Sequence, residues 1–453
     1  MSEPRISIHG QWSSKLAFIF AATGSAVGLG NIWKFPYITG ENGGGAFVLV
    51  YIICVATVAL PIMIAEVLLG KRGKRNPVGT LHILSKEENL STNWKLIGFG
   101  GILAGVIILS YYSVIAGWAL AYVVRAASGF FSYITKDGAT EIFSQLVSTP
   151  EVLLAWHTLF MVMTGTVVAR GVRSGLESAV TYLMPSLFVL LLALVAFSAL
   201  KGNFQQAVDF LFTPDFEKLT PDIILLAMGQ AFFSLSLGMG AIMVYGSYLQ
   251  EETSIVNTSC TVATLDTLVA LVAGLAIFPI VFASGLELSQ GPSLVFQSLT
   301  IAFGQMPGGT LFGVLFFVLL VFAAWTSSIS LLEPVVTWLI EQYSFSRNVA
   351  CLISCLVIWS LGIGTIFSFN IASEYTFLGR TFFENLDYLA SNILLPLGGA
   401  FMSIFVGWRI SRSSVVEELS IGSGIVFHIL LLLIRFVAPA AVFIIFFRAV
   451  GIL

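Results

Sequence analysis

The sequence predicts an all-α polytopic membrane protein, and three observations carry that prediction. Hydrophobic residues make up 57% of the 453 positions and charged residues only 10%, with mean hydropathy +0.95; ordinary soluble domains carry about 25% charge. Eleven apolar runs are long enough to cross a bilayer as helices, which takes about 20 residues. The first and sixth runs are interrupted near their middles by Gly24-Ser25-Ala26-Val27-Gly28-Leu29-Gly30-Asn31 and Ser234-Leu235-Ser236-Leu237-Gly238-Met239-Gly240. Both stretches are too rich in Gly and Ser for a good continuous helix. Irregular backbone at membrane depth persists only where protein or a water-lined cavity satisfies its N–H and C=O groups. Two such breaks at corresponding places point to secondary transport with a site at the bilayer midplane.

In chain order the runs fall at 14–38, 44–70, 96–125, 152–169, 176–200, 221–249, 255–285, 310–340, 348–370, 385–408 and 424–447. With the amino terminus cytoplasmic, thirteen Lys and Arg residues lie on inner segments and six on outer ones, as the positive-inside rule requires. An odd span count then leaves the carboxyl terminus outside the cell. Residues 11–200 and 221–409 are predicted to form two five-span repeats of opposite topology, each opening on a broken span, with 424–447 as an accessory eleventh. The whole of 1–453 reads as one integral unit without a cleavable signal, because the first apolar run leads straight into its break. Segments 126–151, 201–220 and 286–309 are long enough to be structured outer loops.

Several function classes are excluded. The 21 basic and 24 acidic residues leave no basic patch for nucleic acid. Cys54, Cys260, Cys351 and Cys355 all fall in or beside apolar runs without a C-x-x-C pair, which favours packing over metal. The four histidines, His9, His82, His157 and His428, are scattered and form no H-E-x-x-H, so a metalloenzyme site has no support. Gly28-x-Gly30 is no dinucleotide fingerprint, since Trp33 stands where the third glycine belongs.

What remains suits ions and a small zwitterion. In the first break, exposed carbonyls can coordinate a cation, while free N–H groups at a half-helix end can hold a carboxylate. The hydroxyl run Ala323-Ala324-Trp325-Thr326-Ser327-Ser328 in the eighth span offers oxygen ligands of the kind a small hard cation prefers, though such hydroxyls also bond the preceding turn. Ionisable residues within spans are functional suspects: Lys34, Glu66, Asp266, Glu333 and Asp387. Arg435 in the last span suits snorkelling or packing.

Taken together, these residues resemble the neurotransmitter:sodium symporter family. The match rests on Trp12-Ser13-Ser14-Lys15, on Gly24 to Pro36, on Glu41-Asn42-Gly43-Gly44-Gly45-Ala46-Phe47, on Gly229 to Gly238 and on Thr326-Ser327-Ser328. It covers nearly the whole chain through the tenth span. The eleven-span form and pocket residues are similar to the bacterial branch that carries hydrophobic amino acids.

The resemblance implies the leucine-transporter fold, with helices 1 and 6 unwound at mid-membrane. It implies a sodium-coupled symporter of aliphatic and aromatic L-amino acids in a bacterial inner membrane. One sodium site would use Ala26, Asn31, Ser234 and Asp266 with the substrate carboxylate; a second would use Gly24, Val27, Ala323, Thr326 and Ser327. The substrate's backbone groups would meet Ser25, Gly28, Gly30, Tyr112, Phe233, Ser236 and Ser327, and its side chain Ile108, Met239 and Leu331. Gates would be Lys34 with Asp387 outside, and Trp12 with Glu341 inside.

Departures from the family pattern sharpen these expectations. Lys34 replaces the usual outer Arg, so no planar bidentate bridge to Asp387 can form. His9 stands where the inner-gate Arg usually pairs with Glu341, leaving either His9 or Arg5 to serve. Gly28 stands where monoamine members carry an Asp, and residues 16–33 contain no acid. Asp266 replaces the usual Asn and Ala270 a chloride-binding serine, although Tyr51, Gln230 and Ser234 match the chloride positions. Chloride independence is therefore expected. A carrier of another small zwitterion, or a membrane amino-acid sensor that does not translocate, remains the alternative; oligomeric state is not specified.

Overall fold

The computed structural model describes residue 5, residues 7–285 and residues 294–453. Among them no strand occurs beyond two isolated bridges. In order, the helices are α1 (Lys15–Ala26), α2 (Gly30–Glu41), α3 (Gly45–Gly73), α4 (Pro77–Glu87), α5 (Thr92–Ala127) and α6 (Lys136–Ser148). They continue as α7 (Pro150–Ala169), α8 (Val172–Lys201), α9 (Phe204–Phe212), α10 (Pro221–Ser234), α11 (Ala241–Ser247) and α12 (Ile255–Ala283). The last are α13 (Leu294–Gln305), α14 (Gly309–Tyr343), α15 (Arg347–Ser368), α16 (Phe382–Arg409), α17 (Arg412–Leu419) and α18 (Ile425–Ala449).

Among the described residues nine helices are long and apolar enough to cross a membrane, or ten if the bent pair α1–α2 is one span. The predicted sixth span, 221–249, is instead two helices of 14 and 7 residues, α10 and α11. Neither reaches the roughly 20 residues that a crossing takes. The predicted loops 126–151 and 201–220 contain α6 and α9. Of 286–309, residues 286–293 lie outside the described residues, and α13 forms within the rest.

Both breaks follow from local chemistry. Ser14 caps α1 by accepting from the Ala17 N–H, and the helix stops where Val27 turns extended (φ −71°, ψ 100°). The chain resumes as α2 at 52° to α1. Between α10 and α11, Ser236, Gly238 and Gly240 hold φ of 54°, 83° and 75°, a left-handed region that only glycine enters at little cost. Gly238 is further constrained, since a Cβ there would lie 2.3 Å from the Leu395 carbonyl oxygen. The two breaks sit among long helices: α14 packs along α5 and α1, α12 against α1 and α8, α11 on α3, and α16 on α3 and α5.

Candidate functional site

The first break and α14 bring oxygen atoms together. The Ser327 hydroxyl lies 3.3 Å from each of the Gly24, Ser25 and Val27 carbonyl oxygens. The hydroxyl of the adjacent Thr326 is 3.1 Å from the Ala323 carbonyl. Gly24 permits this approach, because a Cβ on it would meet the Thr326 Cβ at 3.1 Å. The five residues Gly24, Val27, Ala323, Thr326 and Ser327 thus form one oxygen-rich contact between α1 and α14.

A second polar cluster joins α2, α10 and α12. Asp266 is fully buried. Its carboxylate accepts from Asn31 Nδ2 at 2.8 Å and from the Ser234 hydroxyl at 2.5 Å, and the Asn31 amide also reaches the Asp266 carbonyl at 3.2 Å. Asn31 Oδ1 lies 3.4 Å from the Gly28 N–H, which ties the cluster back to the first break. The Tyr51 hydroxyl donates to Ser234 at 3.3 Å, and Gln230 donates to the Gly30 carbonyl at 3.1 Å. A buried carboxylate facing only neutral donors is a costly arrangement unless a cation joins it. The donor set of oxygens suits a hard cation such as sodium.

Between these clusters lies a cavity of about 50 Å3. Its lining contains Ser25, Gly28, Gly30, Ile108, Tyr112, Phe233, Ser236, Met239, Ser327 and Leu331, together with Ala26 and Ser234. Two further lining residues, Leu29 and Tyr111, were not anticipated from sequence. No signal in the sequence marked them, although each sits beside a residue that was named, Gly28 and Tyr112. Glycine at 28 is a steric need, since a Cβ would come within 2.6 Å of the Ser327 hydroxyl and 2.9 Å of the Tyr112 hydroxyl. The Leu29 N–H donates to that tyrosine at 3.2 Å, Ser236 donates to the Ser25 carbonyl at 2.8 Å, and Ser25 donates to Ser330 at 2.7 Å. Glu66, fully buried, accepts from the Gly238 N–H at 2.6 Å, so its carboxylate supports the second break.

A larger cavity of about 260 Å3 adjoins the first, sharing Leu29, Gly30, Tyr111, Tyr112 and Phe233, and extending to Lys34 and Asp387. These last two face the same space but form no ion pair among the described residues. The Lys34 ammonium instead lies 4.3 Å from the centre of the Phe233 ring, a cation–π contact. Asp387 accepts from Tyr111 at 3.0 Å and Ser391 at 2.9 Å.

Away from these cavities, contacts join the amino-terminal segment to α11 and α14. Trp12 is buried and donates to the Tyr245 carbonyl at 3.0 Å. His9 Nε2 lies 3.0 Å from Glu341, which also accepts from the Asn76 N–H at 2.7 Å. Arg5 is committed elsewhere, to Glu87 and to the Arg72 carbonyl, so of His9 and Arg5 it is His9 that meets Glu341. Glu333 is taken up by Arg347 and by Tyr248 at 2.6 Å, a structural pairing away from the cavity. Arg435 bonds the Gly407 carbonyl at 2.5 Å beside Trp408, in keeping with packing.

Residues 9–135 and 130–452 match the family described as the sodium:neurotransmitter symporter family. The chain is 39% identical over 446 residues to a sodium-dependent transporter of Bacillus subtilis, covering 98% of each protein. It is 34% identical over 442 residues to a sodium-dependent transporter of Haemophilus influenzae, covering 96% of this chain and 97% of that one. The crystal structure of MhsT in complex with L-phenylalanine superposes with a TM-score of 0.89 at 41% identity, over 97% of this chain and 99% of that one.

Proposed function

The chain belongs to the sodium:neurotransmitter symporter family, and on that premise we propose that it imports hydrophobic L-amino acids together with two sodium ions, without chloride. It is a polytopic, sodium-dependent membrane transporter of the leucine-transporter fold, not an enzyme. The finer reading rests on the convergence of unpaired-charge and oxygen chemistry at the two helix breaks, with Asp266 as the decisive residue. One sodium ion binds Ala26, Asn31, Ser234 and Asp266 and meets the substrate carboxylate. The other binds Gly24, Val27, Ala323, Thr326 and Ser327 and holds α1 against α14.

The substrate's amino and carboxyl groups meet the chain at Ser25, Gly28 and Gly30, with Tyr112, Phe233, Ser236 and Ser327 beside them. Its side chain lies among Ile108, Phe233, Met239 and Leu331. These walls enclose only about 50 Å3 as they stand, so a large side chain must spread them, and the unbranched Met239 is suited to yield. The MhsT complex with phenylalanine supports a hydrophobic substrate. Asp266 supplies the fixed negative charge that offsets two cations beside one carboxylate, while Ala270 offers no hydroxyl to an anion.

Each sodium charge moved through 100 mV contributes about 2.3 kcal/mol, so two ions support steep accumulation. Access alternates between the 260 Å3 vestibule, on the outer side, and the face latched by His9, Trp12 and Glu341, on the cytoplasmic side. The two five-span repeats, 11–200 and 221–409, rock about the site, with 424–447 outside them and the carboxyl terminus outside the cell. In a bacterium this membrane is the cytoplasmic one.

The test is uptake of labelled amino acids into proteoliposomes under an inward sodium gradient. Leucine, phenylalanine and tryptophan should accumulate, collapse of the gradient should stop them, and dopamine or serotonin should not compete. Saturable binding without accumulation would instead identify a sensor.

A further inference from the structure

Glu341, the acid that His9 meets, also lines a separate cavity of about 450 Å3. It lies where α4 begins, where α5 enters the membrane and where α14 leaves it, hence at the bilayer boundary. Three of its lining side chains are basic, Arg75, His82 and Lys95, and its acid is Glu341. That acid is already engaged by His9, by the Asn76 N–H and, at 3.8 Å, by Arg75. Lys95 and the neighbouring Lys86 form no ion pair among the described residues. His82 Nδ1 has no hydrogen-bond partner there. Burial first, and then the nearby charges of Lys86 and Lys95, hold the His82 imidazole below its ordinary pKa.

The other wall is apolar and aromatic. Leu96 is 62% exposed. Phe99 meets Trp338 edge-on with ring centres 5.8 Å apart, and the row continues through Tyr343 to Phe345. Aromatic rings of this kind settle at the headgroup level of a bilayer, and basic residues just outside a span attract anionic lipid.

We infer that this cavity binds an anionic phospholipid, its phosphate held by Arg75 and Lys95 and its acyl chains lying along Leu96, Phe99 and Trp338. Free phosphate offers the same charge but leaves the apolar wall without a partner. Through Arg75 the bound headgroup touches the inner latch at Glu341.

The experiment uses the full chain in nanodiscs of phosphatidylcholine containing a minor fraction of phosphatidylglycerol. Lipid retained by the released protein is counted by native mass spectrometry, and His82 is followed by NMR. Phosphatidylglycerol should be enriched over phosphatidylcholine by about tenfold, and Lys95→Gln, at an exposed position, should cut that enrichment by about fivefold. Arg75→Gln should do the same, whereas Lys136→Gln, beyond the far end of α5, should not. The His82 titration should move upward when phosphatidylglycerol is present. Equal retention of both lipids, or enrichment untouched by Lys95→Gln, would overturn the inference. So would glycerol phosphate moving the His82 titration as far as the lipid does, since that assigns the site to a soluble anion.

Discussion

Replacing Asp266 by asparagine removes one negative charge from a fully buried position while keeping the side chain's size, so the outcome reports charge and not packing. The carboxylate accepts from Asn31 at 2.8 Å and from Ser234 at 2.5 Å. A hydrogen bond to a charged group is worth about 1.5–3 kcal/mol, and an amide can accept at only one of its two terminal atoms. Unit charges 4 Å apart interact by about 4 kcal/mol at an effective dielectric near 20. The loss of sodium affinity should therefore lie between about 1.5 and 4 kcal/mol, a roughly 10- to 900-fold rise in half-saturating sodium. The assay is sodium-dependent uptake in proteoliposomes, run in chloride and again with gluconate in its place. The unmodified protein should transport equally in both. Asp266→Asn should be impaired, partly rescued by chloride, and rescued further when Ala270→Ser restores a hydroxyl beside the anion. A severalfold loss of uptake by the unmodified protein in gluconate would refute the charge argument. A sodium shift below about threefold in Asp266→Asn would remove the residue from the ion site.

Three further outcomes are expected. Met239→Phe should narrow an already small cavity and raise the half-saturating concentration of tryptophan more than that of leucine or valine, measured by competition against labelled leucine; equal losses would take Met239 out of the pocket. Gly28→Ala places a methyl 2.6 Å from the Ser327 hydroxyl and should lower substrate affinity at least about tenfold, since overpacking costs roughly 1–3 kcal/mol and a displaced ligand contact adds to it; calorimetry with protein of unchanged thermal stability checks this. His9→Ala removes a bond to a buried acid worth about 1.5–3 kcal/mol and should speed amide hydrogen exchange in residues 7–14 by 10-fold or more, with a smaller effect from Arg5→Ala.

What could be read from the chain, and what could not, divides by range. The spans were legible because twenty apolar residues in a row are a local property, and the breaks because Gly and Ser concentrate there. The resemblance then placed ten residues from four predicted spans, and they do line one cavity. Leu29 and Tyr111 escaped because each helical residue turns about 100° from its neighbour, so a residue beside a named one has no automatic claim to the same face. The division of the sixth span was half visible. Glycines at 238 and 240 announced a break, but the left-handed Ser236 obeys no propensity, and it is held by a hydroxyl bond to the Ser25 carbonyl 211 residues away. The gates lay further out of reach. Choosing His9 over Arg5 for Glu341 required knowing that Glu87 occupies Arg5, a competition invisible without coordinates. The resemblance implied joining Lys34 to Asp387, yet Tyr111 and Ser391 bond the aspartate and Phe233 receives the lysine. Phe233 also lines the inner cavity. A lysine resting on that ring ties its charge to the wall of the pocket itself; were Lys34 to pair with Asp387 as the proposed gate, it would leave Phe233, and closure would be coupled to substrate fit. Lys34→Gln should therefore alter substrate affinity as well as access, which a simple charge gate would not do; unchanged calorimetric affinity in that variant would separate the two.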